Sequence, residues 1–267
     1  MIEFEQIPFG SGEQVTLPVG LEVEGVRYKE VVIDELCGID DFNVADKKLG
    51  GNSAKGSTVV LARCIQEISG LIPRKKNSES KLEVDYLRRM TLIDRDYLLA
   101  RIYHLSGREQ VCLAGECPRC NRVWEEEAAL SDFPVYSWPD DKALGVDFEF
   151  KLGIKDPKTD IFQTKGFIRF PMGRDQELMA VIENPAQALD SMLAACITNL
   201  GTIEKIDSES VKRLKQRDRL AILEVFQYEF PGLRQWKEVH CQCGKDFEAR
   251  LDLTSFFGGR NQKKTKY

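Results

Sequence analysis

The sequence predicts an α+β fold of two pseudo-repeated halves. Each half contains a β-hairpin, two or more helices and a second β-hairpin that carries a cysteine knuckle. Two observations predict this fold: a weak internal duplication runs along the chain, and two groups of cysteines fall at equivalent places in it. The 267 residues are 42% hydrophobic and 30% charged. This composition is typical of a globular protein and excludes disorder, and the length suffices for one large domain or two small ones.

The first hairpin of each half is predicted from a short apolar segment that ends in glycine and precedes a second strand-like run. Val15–Gly20 is followed by Val31–Ile33, and Phe148–Gly153 is followed by Phe167–Phe170, so the two glycines lie 133 residues apart. Both halves then continue into a Gly-x-Asp turn, at 38–40 and at 173–175.

Helices are predicted next, because apolar residues recur at the helical period. Leu61–Ile68 and Leu193–Leu200 each predict one buried helix face, and they lie 132 residues apart. A further helix is predicted to begin near Arg95–Asp96 and near Arg217–Asp218, where the separation falls to 122. We attribute the fall to a charged, turn-rich surface loop at 73–80 that is present only in the first half.

The two halves also end alike. Cys120 and Cys243 lie 123 residues apart, and each is followed at the same distances by an aromatic residue, a leucine, a hydroxyl residue and a phenylalanine: Trp124, Leu130, Ser131 and Phe133, and Phe247, Leu253, Thr254 and Phe256. The sequence therefore predicts a first half over 1–135, a linker over 136–145, a second half over 146–258 and a flexible basic tail over 259–267.

The cysteines predict a metal site shared by the two halves. Cys117 and Cys120 have the C-x₂-C spacing that lets two thiolates reach one tetrahedral ion. The duplication places Cys241 and Cys243 opposite them, with His240 as the alternative to Cys241 because His240 and Cys243 repeat the three-residue step. A complete protein ligand set leaves no open position for water, so we expect a structural zinc that joins the halves across a pseudo-twofold axis. The remaining cysteines are interpreted as core or incidental thiols: Cys37, Cys64, Cys112 and Cys196.

Nothing in the sequence predicts catalysis or a bound organic cofactor. The chain has two histidines, and His104 has no nucleophile motif nearby. The acidic groups, such as Glu125–Glu127, are interpreted as solvated faces. The net charge of −5 makes nucleic acid an unlikely partner, although the tail is basic. We also expect no membrane span, no signal peptide and no small-molecule substrate, so the protein is expected in the cytoplasm in which it is made.

A series of motifs carries a resemblance to a known family. The motifs are Leu17-Pro18-x-Gly20 with Tyr28, a Gly38-x-Asp40 turn, a helix with Leu61, Cys64 and Ile65, a helix with Asp96, and Cys117-Pro-x-Cys120 before an acidic strand and Leu130-Ser131. This pattern resembles the T-even phage (myovirus) baseplate protein family, whose members are components or assembly factors of the baseplate hub.

The resemblance implies a non-catalytic structural or assembly protein of a contractile phage tail, acting in the hub region of the baseplate. Its implied partners are other tail proteins, namely hub, tube or tape-measure components. Its implied location is the host cytoplasm during assembly and, for a component retained in the particle, the virion tail baseplate. The alternative hypothesis is a zinc-ribbon adaptor that binds nucleic acid or a transcription complex, since C-x₂-C knuckles are common in such proteins.

Overall fold

The computed structural model of the chain describes residues 4–37, 52–73, 82–203 and 206–251. Over these ranges it has 13 β-strands in four sheets and seven α-helices, which confirms the mixed α+β class. The strands are β1 (Glu5–Ile7), β2 (Gln14–Val23), β3 (Val26–Ile33), β4 (Ile65–Ile68), β5 (Gln110–Glu116), β6 (Val123–Ala129), β7 (Val135–Ser137), β8 (Gly145–Lys155), β9 (Phe162–Arg169), β10 (Ile197–Leu200), β11 (Gly232–Leu233), β12 (Trp236–His240) and β13 (Asp246–Leu251). The helices are α1 (Ser53–Cys64), α2 (Val84–Arg89), α3 (Leu92–Leu105), α4 (Gly173–Met179), α5 (Pro185–Cys196), α6 (Ser208–Lys212) and α7 (Gln216–Glu224). None of these helices combines the length and the apolar composition that crossing a bilayer requires.

Two of the three-stranded sheets share one strand order. In the first, β2 and β3 form an antiparallel hairpin and β4 pairs with the other side of β3. In the second, β8 and β9 form the hairpin and β10 pairs with the other side of β9. The last strand of each sheet begins at the residue after a helix, because α1 ends at Cys64 before Ile65 and α5 ends at Cys196 before Ile197.

The prediction that Leu61–Ile68 and Leu193–Leu200 are each helical throughout is wrong for their second parts, which are the strands β4 and β10. The periodicity misled because Ile65 and Ile68 are buried in the strand as well. A register shift in the pairing of β3 with β4 leaves Gln66 as an extra residue. This bulge turns both isoleucines toward the core, so a spacing of three residues fits either structure.

A buried aspartate fastens the outer strand of each of these two sheets to a helix. Asp94 on α3 accepts hydrogen bonds from the backbone N–H groups of Val19 (2.8 Å) and Gly20 (3.0 Å), where β2 breaks its register. Asp218 on α7 accepts them from Lys151 (2.8 Å) and Gly153 (2.9 Å), where β8 breaks its register. The φ values of Gly20 and Gly153 are +98° and +74°, a region that glycine enters without strain.

These contacts correct one pairing made from the sequence. The partner of Asp218 in the first half is Asp94, not Asp96, because Asp94 makes the matching contact with its strand. The next residues agree: Arg95 donates to Thr58 on α1 (2.9 Å), and Arg219 forms an ion pair with Asp190 on α5 (2.5 Å). The sequence analysis paired the two Arg-Asp dipeptides. The contacts instead pair two Asp-Arg dipeptides, Asp94-Arg95 and Asp218-Arg219, which lie 124 residues apart.

The buried apolar residues form two clusters. The second cluster includes residues of α5, α6, α7 and the sheet of β8, β9 and β10, together with Trp138 and with Val19 of β2. The first includes residues of α1, α3, β5 and the sheet of β2, β3 and β4, together with five residues of the C-terminal hairpin: Val239, Cys241, Phe247, Ala249 and Leu251. The C-terminal hairpin therefore helps to bury the N-terminal core, and the boundaries at 135 and 146 stay a prediction.

The stretch predicted as a linker, 136–145, is packed against the rest of the protein. Its first residues belong to β7, which pairs with both β1 and β11. Trp138 is 1% exposed, donates from its ring Nε1 to the carbonyl of Ala143 (3.0 Å) and lies edge-on to Phe170. Several other predicted features lie outside the described residues: the turn at 38–40, most of the loop at 73–80, the motif residues Leu253, Thr254 and Phe256, and the basic tail.

We expect Asp94→Asn and Asp218→Asn each to lower the free energy of unfolding by about 1–3 kcal/mol. Asparagine replaces one carboxylate oxygen by an NH₂ group, which cannot accept a hydrogen bond from the second backbone N–H. Urea denaturation measures the change, and Asp141→Asn, at an exposed site, is the matched control. Equal stabilities for all three variants would contradict the fastening role of the two carboxylates.

Candidate metal centre

Two β-hairpins form one four-stranded sheet and carry the two cysteine knuckles. The strand order is β12-β13-β5-β6, with β13 pairing antiparallel to β5. The turn of the first hairpin contains Cys117 and Cys120, and the turn of the second contains Cys241 and Cys243. Because neighbouring strands hold the two turns, residues more than 120 positions apart in sequence come together.

The sheet lacks the pseudo-twofold symmetry that the sequence predicts. A twofold axis would pair equivalent strands at the centre, β5 with β12 or β6 with β13, whereas the central pair is β5 with β13. The C-terminal hairpin thus extends the first one side by side, and the first core cluster covers both hairpins. Burial of apolar residues of β13 on that core accounts for this arrangement.

Hydrogen bonds at the strand ends show which knuckle positions correspond. The N–H of Cys117 donates to Arg122 (3.0 Å) and that of Cys241 donates to Lys245 (2.9 Å), so these two cysteines begin their turns equivalently. Each turn passes through a residue with positive φ, Asn121 at +56° or Gly244 at +80°. The second turn is one residue shorter, which explains why its cysteines have one residue between them and those of the first turn have two.

The four sulfur atoms lie within 4.8 Å of one another. The shortest separations join the two knuckles, at 3.6 Å between Cys117 and Cys243 and 3.6 Å between Cys120 and Cys241. A tetrahedral ion with metal–sulfur bonds of about 2.3 Å has sulfur–sulfur edges of about 3.8 Å. The separations are far longer than the ~2.05 Å of a disulfide, so the group has the dimensions of a four-coordinate metal site.

The pKa values of the cysteines in this group differ from one another. Burial acts to raise the pKa of Cys117, but hydrogen bonds from the backbone N–H groups of Arg119 and Cys120 outweigh it and lower this pKa to about 6. Burial and the neighbouring sulfurs raise the pKa of Cys243 to about 12. One thiolate is therefore stabilised by the protein backbone, whereas further thiolates repel one another and require a cation to become stable together.

The structure brings Cys241 into the group and leaves His240 outside it. The imidazole of His240 lies at the end of β12, mostly exposed, with Nδ1 2.6 Å from a carboxylate oxygen of Asp246. The other cysteines also lie apart from the group. Cys64 and Cys196 are buried in the two cores, and burial raises the pKa of Cys196 to about 12.

Two arginines of the first knuckle contact the second knuckle, and sequence reasoning missed them. Arg119 donates to the backbone carbonyl of Cys243 (3.2 Å), and Arg122 donates to the side-chain oxygen of Gln242. Arg119 lies inside the C-x₂-C segment and Arg122 lies just after it. These positions could have predicted that the arginines contact the other turn. The arginines bridge the knuckles on the exposed side of the cysteine group.

Other candidate residues have structural surroundings. The ring of His104 lies edge-on to Phe9 on the surface of the first core. Asp175, of the Gly-x-Asp motif, lies in the first turn of α4, accepts a hydrogen bond from the N–H of Met172 and forms a bidentate pair with Arg169. The prediction of a turn at 173–175 is therefore wrong, because these residues are the first turn of α4, where Asp175 accepts the N–H at the start of the helix.

No family model, no curated protein and no solved structure matches this chain. The structure itself defines the class: a mixed α+β protein in which two adjacent hairpins gather four cysteines into one group of metal-site dimensions.

A substitution at Gly115 tests whether the pairing of β5 with β13 determines the arrangement of the four cysteines. A Cβ atom at Gly115 would lie 2.9 Å from the Phe247 ring and 3.0 Å from the carbonyl oxygen of Glu248, so a valine must push β13 away from β5. We expect Gly115→Val to lower the free energy of unfolding by about 1–3 kcal/mol and to weaken the binding of Co²⁺. The absorption band from thiolate to cobalt measures this binding. Gly12→Val is the control, since no atom lies within 4 Å of its added Cβ. Unchanged cobalt affinity in Gly115→Val would contradict the expectation.

Proposed function

We propose that this chain is a non-catalytic structural or assembly protein in which Cys117, Cys120, Cys241 and Cys243 hold one structural Zn²⁺. The observation that carries the proposal is the convergence of four sulfurs from two separate turns into a group of tetrahedral size. Four thiolates in a tetrahedron are typical of zinc or of iron–sulfur centres. Because all four ligands come from the protein, the ion has no open position for substrate or water, which favours a structural role.

The bound ion would fix the two hairpins of the four-stranded sheet to each other. Direct pairing between β5 and β13 involves few residues, with Leu113 opposite Leu251 and Ala114 opposite Arg250. A zinc ion would close a loop of more than a hundred residues between the knuckles and remove conformational freedom from the unfolded chain. We expect a rigid body in which neither hairpin separates from the other.

We infer that the chain arose by tandem duplication, with the first half spanning 1–135 and the second spanning 146–258. Supporting observations are the shared strand order of the two three-stranded sheets and the direct passage from helix to last strand. The two buried aspartates, Asp94 and Asp218, add contacts of the same kind at the same strand positions. The zinc site would then combine the last hairpin of each copy.

We propose that the protein serves the hub region of a contractile phage tail baseplate. The proposal rests on the resemblance to the T-even phage baseplate family, and the resembling residues have structural roles. Leu17 is fully buried, Gly20 lies at the strand bulge that Asp94 holds, and Cys117 with Cys120 forms the first knuckle. The partners would be hub, tube or tape-measure proteins, met in the host cytoplasm during assembly or retained with the chain in the virion tail.

The alternative, a zinc-ribbon adaptor for nucleic acid, is disfavoured by the surface next to the knuckles. The strand β6 leaves the first knuckle and exposes Glu125, Glu126 and Glu127. Their negative charge would repel phosphate groups. The arginines of the knuckle are occupied by contacts with the second turn.

Metal analysis tests the zinc proposal. We expect about one zinc per purified chain, and we expect Cys243→Ser to lose it and to lower Tm by about 10 °C or more, because metal binding contributes to folding free energy. Cys112→Ser, which changes a thiol outside the group, is the control and should retain both zinc and Tm. The metal site would be refuted if the purified protein contained no metal and Cys243→Ser left Tm unchanged. Bound iron with visible absorption would refute zinc as the metal of the site.

Co-purification tests the assembly role. We expect the tagged chain to retain a hub, tube or tape-measure protein when co-expressed with each of them singly. A DNA-binding assay at low and high salt serves as the comparison, since phosphate contacts weaken steeply as salt rises. Tight, salt-sensitive DNA binding without retention of any tail protein would favour the adaptor and contradict the hub role.

A further inference from the structure

A cavity of about 700 Å³ lies at the point where the described part of the chain stops. Its volume is within the range of about 300–1,000 Å³ that is typical of binding sites. The last two described residues, Arg250 and Leu251, belong to its wall. The chain continues to residue 267, so the segment that follows β13 begins at this cavity.

Most of the cavity wall is apolar or aromatic. One side is formed by α7 and by the π-helical segment Val225–Glu229 that continues from it, which together contribute Leu223, Phe226 and Tyr228. The ring of Trp236, at the start of β12, lies edge-on to that of Tyr228, with 5.8 Å between their centres. A continuous apolar surface of this kind marks a place that another segment covers.

The corresponding positions of the first half are buried. Leu99 and Ile102 follow the buried aspartate of α3 by five and eight residues. Leu223 and Phe226 follow the buried aspartate of α7 by the same numbers of residues. Because the two aspartates make equivalent contacts with their strands, these positions are equivalent. Leu99 and Ile102 are buried in the first cluster, whereas their counterparts line the cavity.

The chain that follows the first knuckle hairpin helps to complete the first core. Leu130 and Phe133 come directly after β6, are 0% and 4% exposed, and belong to the same buried cluster as the α3 residues. At the same distances beyond the second knuckle the sequence has Leu253 and Phe256, followed by a second phenylalanine, Phe257. The segment that begins at the cavity therefore carries the counterparts of the residues that bury this wall in the first half.

The charge of the lining agrees with this segment as the occupant. The lining has two arginines, Arg234 and Arg250, against one aspartate, Asp96, so it does not favour a cation. Residues 252–259 contain no lysine or arginine, and their single charged residue is Asp252. Six extended residues span about 20 Å, which is long enough to cross a cavity of this volume.

We propose that the C-terminal segment 252–257 of this chain occupies the cavity, with Leu253 and Phe256 packed against the side chains of α7, the π-helical segment and β12. The proposal rests on the equivalence of the two halves that the inferred duplication supplies, and it requires neither the metal nor a tail partner. The segment would close the second half as Leu130 and Phe133 close the first, and the basic residues from Arg260 onward would lie beyond the cavity.

Photocrosslinking of the full chain tests the proposal. The analogue p-benzoylphenylalanine, whose excited ketone inserts into nearby C–H bonds, is placed at position 256, and mass spectrometry identifies the peptide to which it attaches. We expect attachment to residues of the cavity wall, such as Leu223 or Trp236, on the same chain. A mixture of isotopically heavy and light chains distinguishes attachment within a chain from attachment between chains. The same analogue at position 264 is the control and should not mark the wall.

Alanine substitutions give a second measurement that needs no bulky analogue. We expect Phe256→Ala combined with Phe257→Ala to uncover Trp236, whose indole N–H resonance then broadens more than in the unaltered chain when a soluble gadolinium chelate is added. Lys263→Ala combined with Lys264→Ala is the matched control and should leave this broadening unchanged. Trp138 is 1% exposed, so an unchanged Trp138 resonance verifies that each variant is folded.

Attachment away from the cavity wall would overturn the proposal, as would equal broadening of Trp236 in the phenylalanine variant and the unaltered chain. Attachment between heavy and light chains would also overturn it, by assigning the cavity to the segment of a second copy. Marking of the wall from position 264 as strongly as from position 256 would contradict the proposed occupant. A normal metal content and retention of a tail protein, together with attachment elsewhere, would overturn this proposal alone and leave the metal site and the assembly role standing.

Discussion

Two buried carboxylates hold two helices against their sheets, and the positions of the other elements depend on these contacts. Asp94 and Asp218 each replace the partner strand at a break in a β-ladder by accepting backbone N–H groups that would otherwise be buried without partners. Without these acceptors, the buried N–H groups would have lost their hydrogen bonds to water and gained none in the protein, which would destabilise the fold. The same contacts set the position of α3 and α7 against their sheets, and each helix then leads toward one of the two knuckle hairpins.

The cysteine group depends on that placement. The strand β5 follows α3 after a short connection, and β12 follows α7 through the π-helical segment and β11. If either helix shifted against its sheet, the two turns would no longer meet at 3.6 Å between sulfurs. A metal ion at this point would therefore stabilise an arrangement that hydrogen bonds and apolar packing already favour, and this is the condition for high affinity.

Much of this could be predicted from sequence, and the failures have physical reasons. The α+β class and the set of four cysteines followed from apolar spacing and from the two clusters in equivalent positions. Ile65 and Ile68 were predicted as helical because a bulged strand buries the same positions as a helix face. Asp94 was overlooked in favour of Asp96 because residue identity does not reveal which carboxylate reaches a strand.

Other features had no local signal. The order of the strands in the four-stranded sheet depends on which hairpin edge covers the first core, and no pattern within either hairpin encodes that choice. The choice between His240 and Cys241 likewise depended on a turn shortened by one residue, which only the hydrogen bonds at the strand ends reveal. The cavity arises where side chains from several distant elements meet, so its lining cannot be read from any single segment.

The packing of the C-terminal hairpin on the N-terminal core has a consequence for how the chain folds. Val239 and Leu251 belong to the same buried cluster as Val15 and Leu17, and Leu251 pairs with Leu113, so closing this core requires contacts across more than a hundred residues of sequence. Contacts of high sequence separation slow folding, because the entropy of closing long loops is lost before the contacts form. Until the last hairpin pairs with β5, the edge of this strand and the apolar residues that the hairpin covers are open to solvent, a condition that favours aggregation.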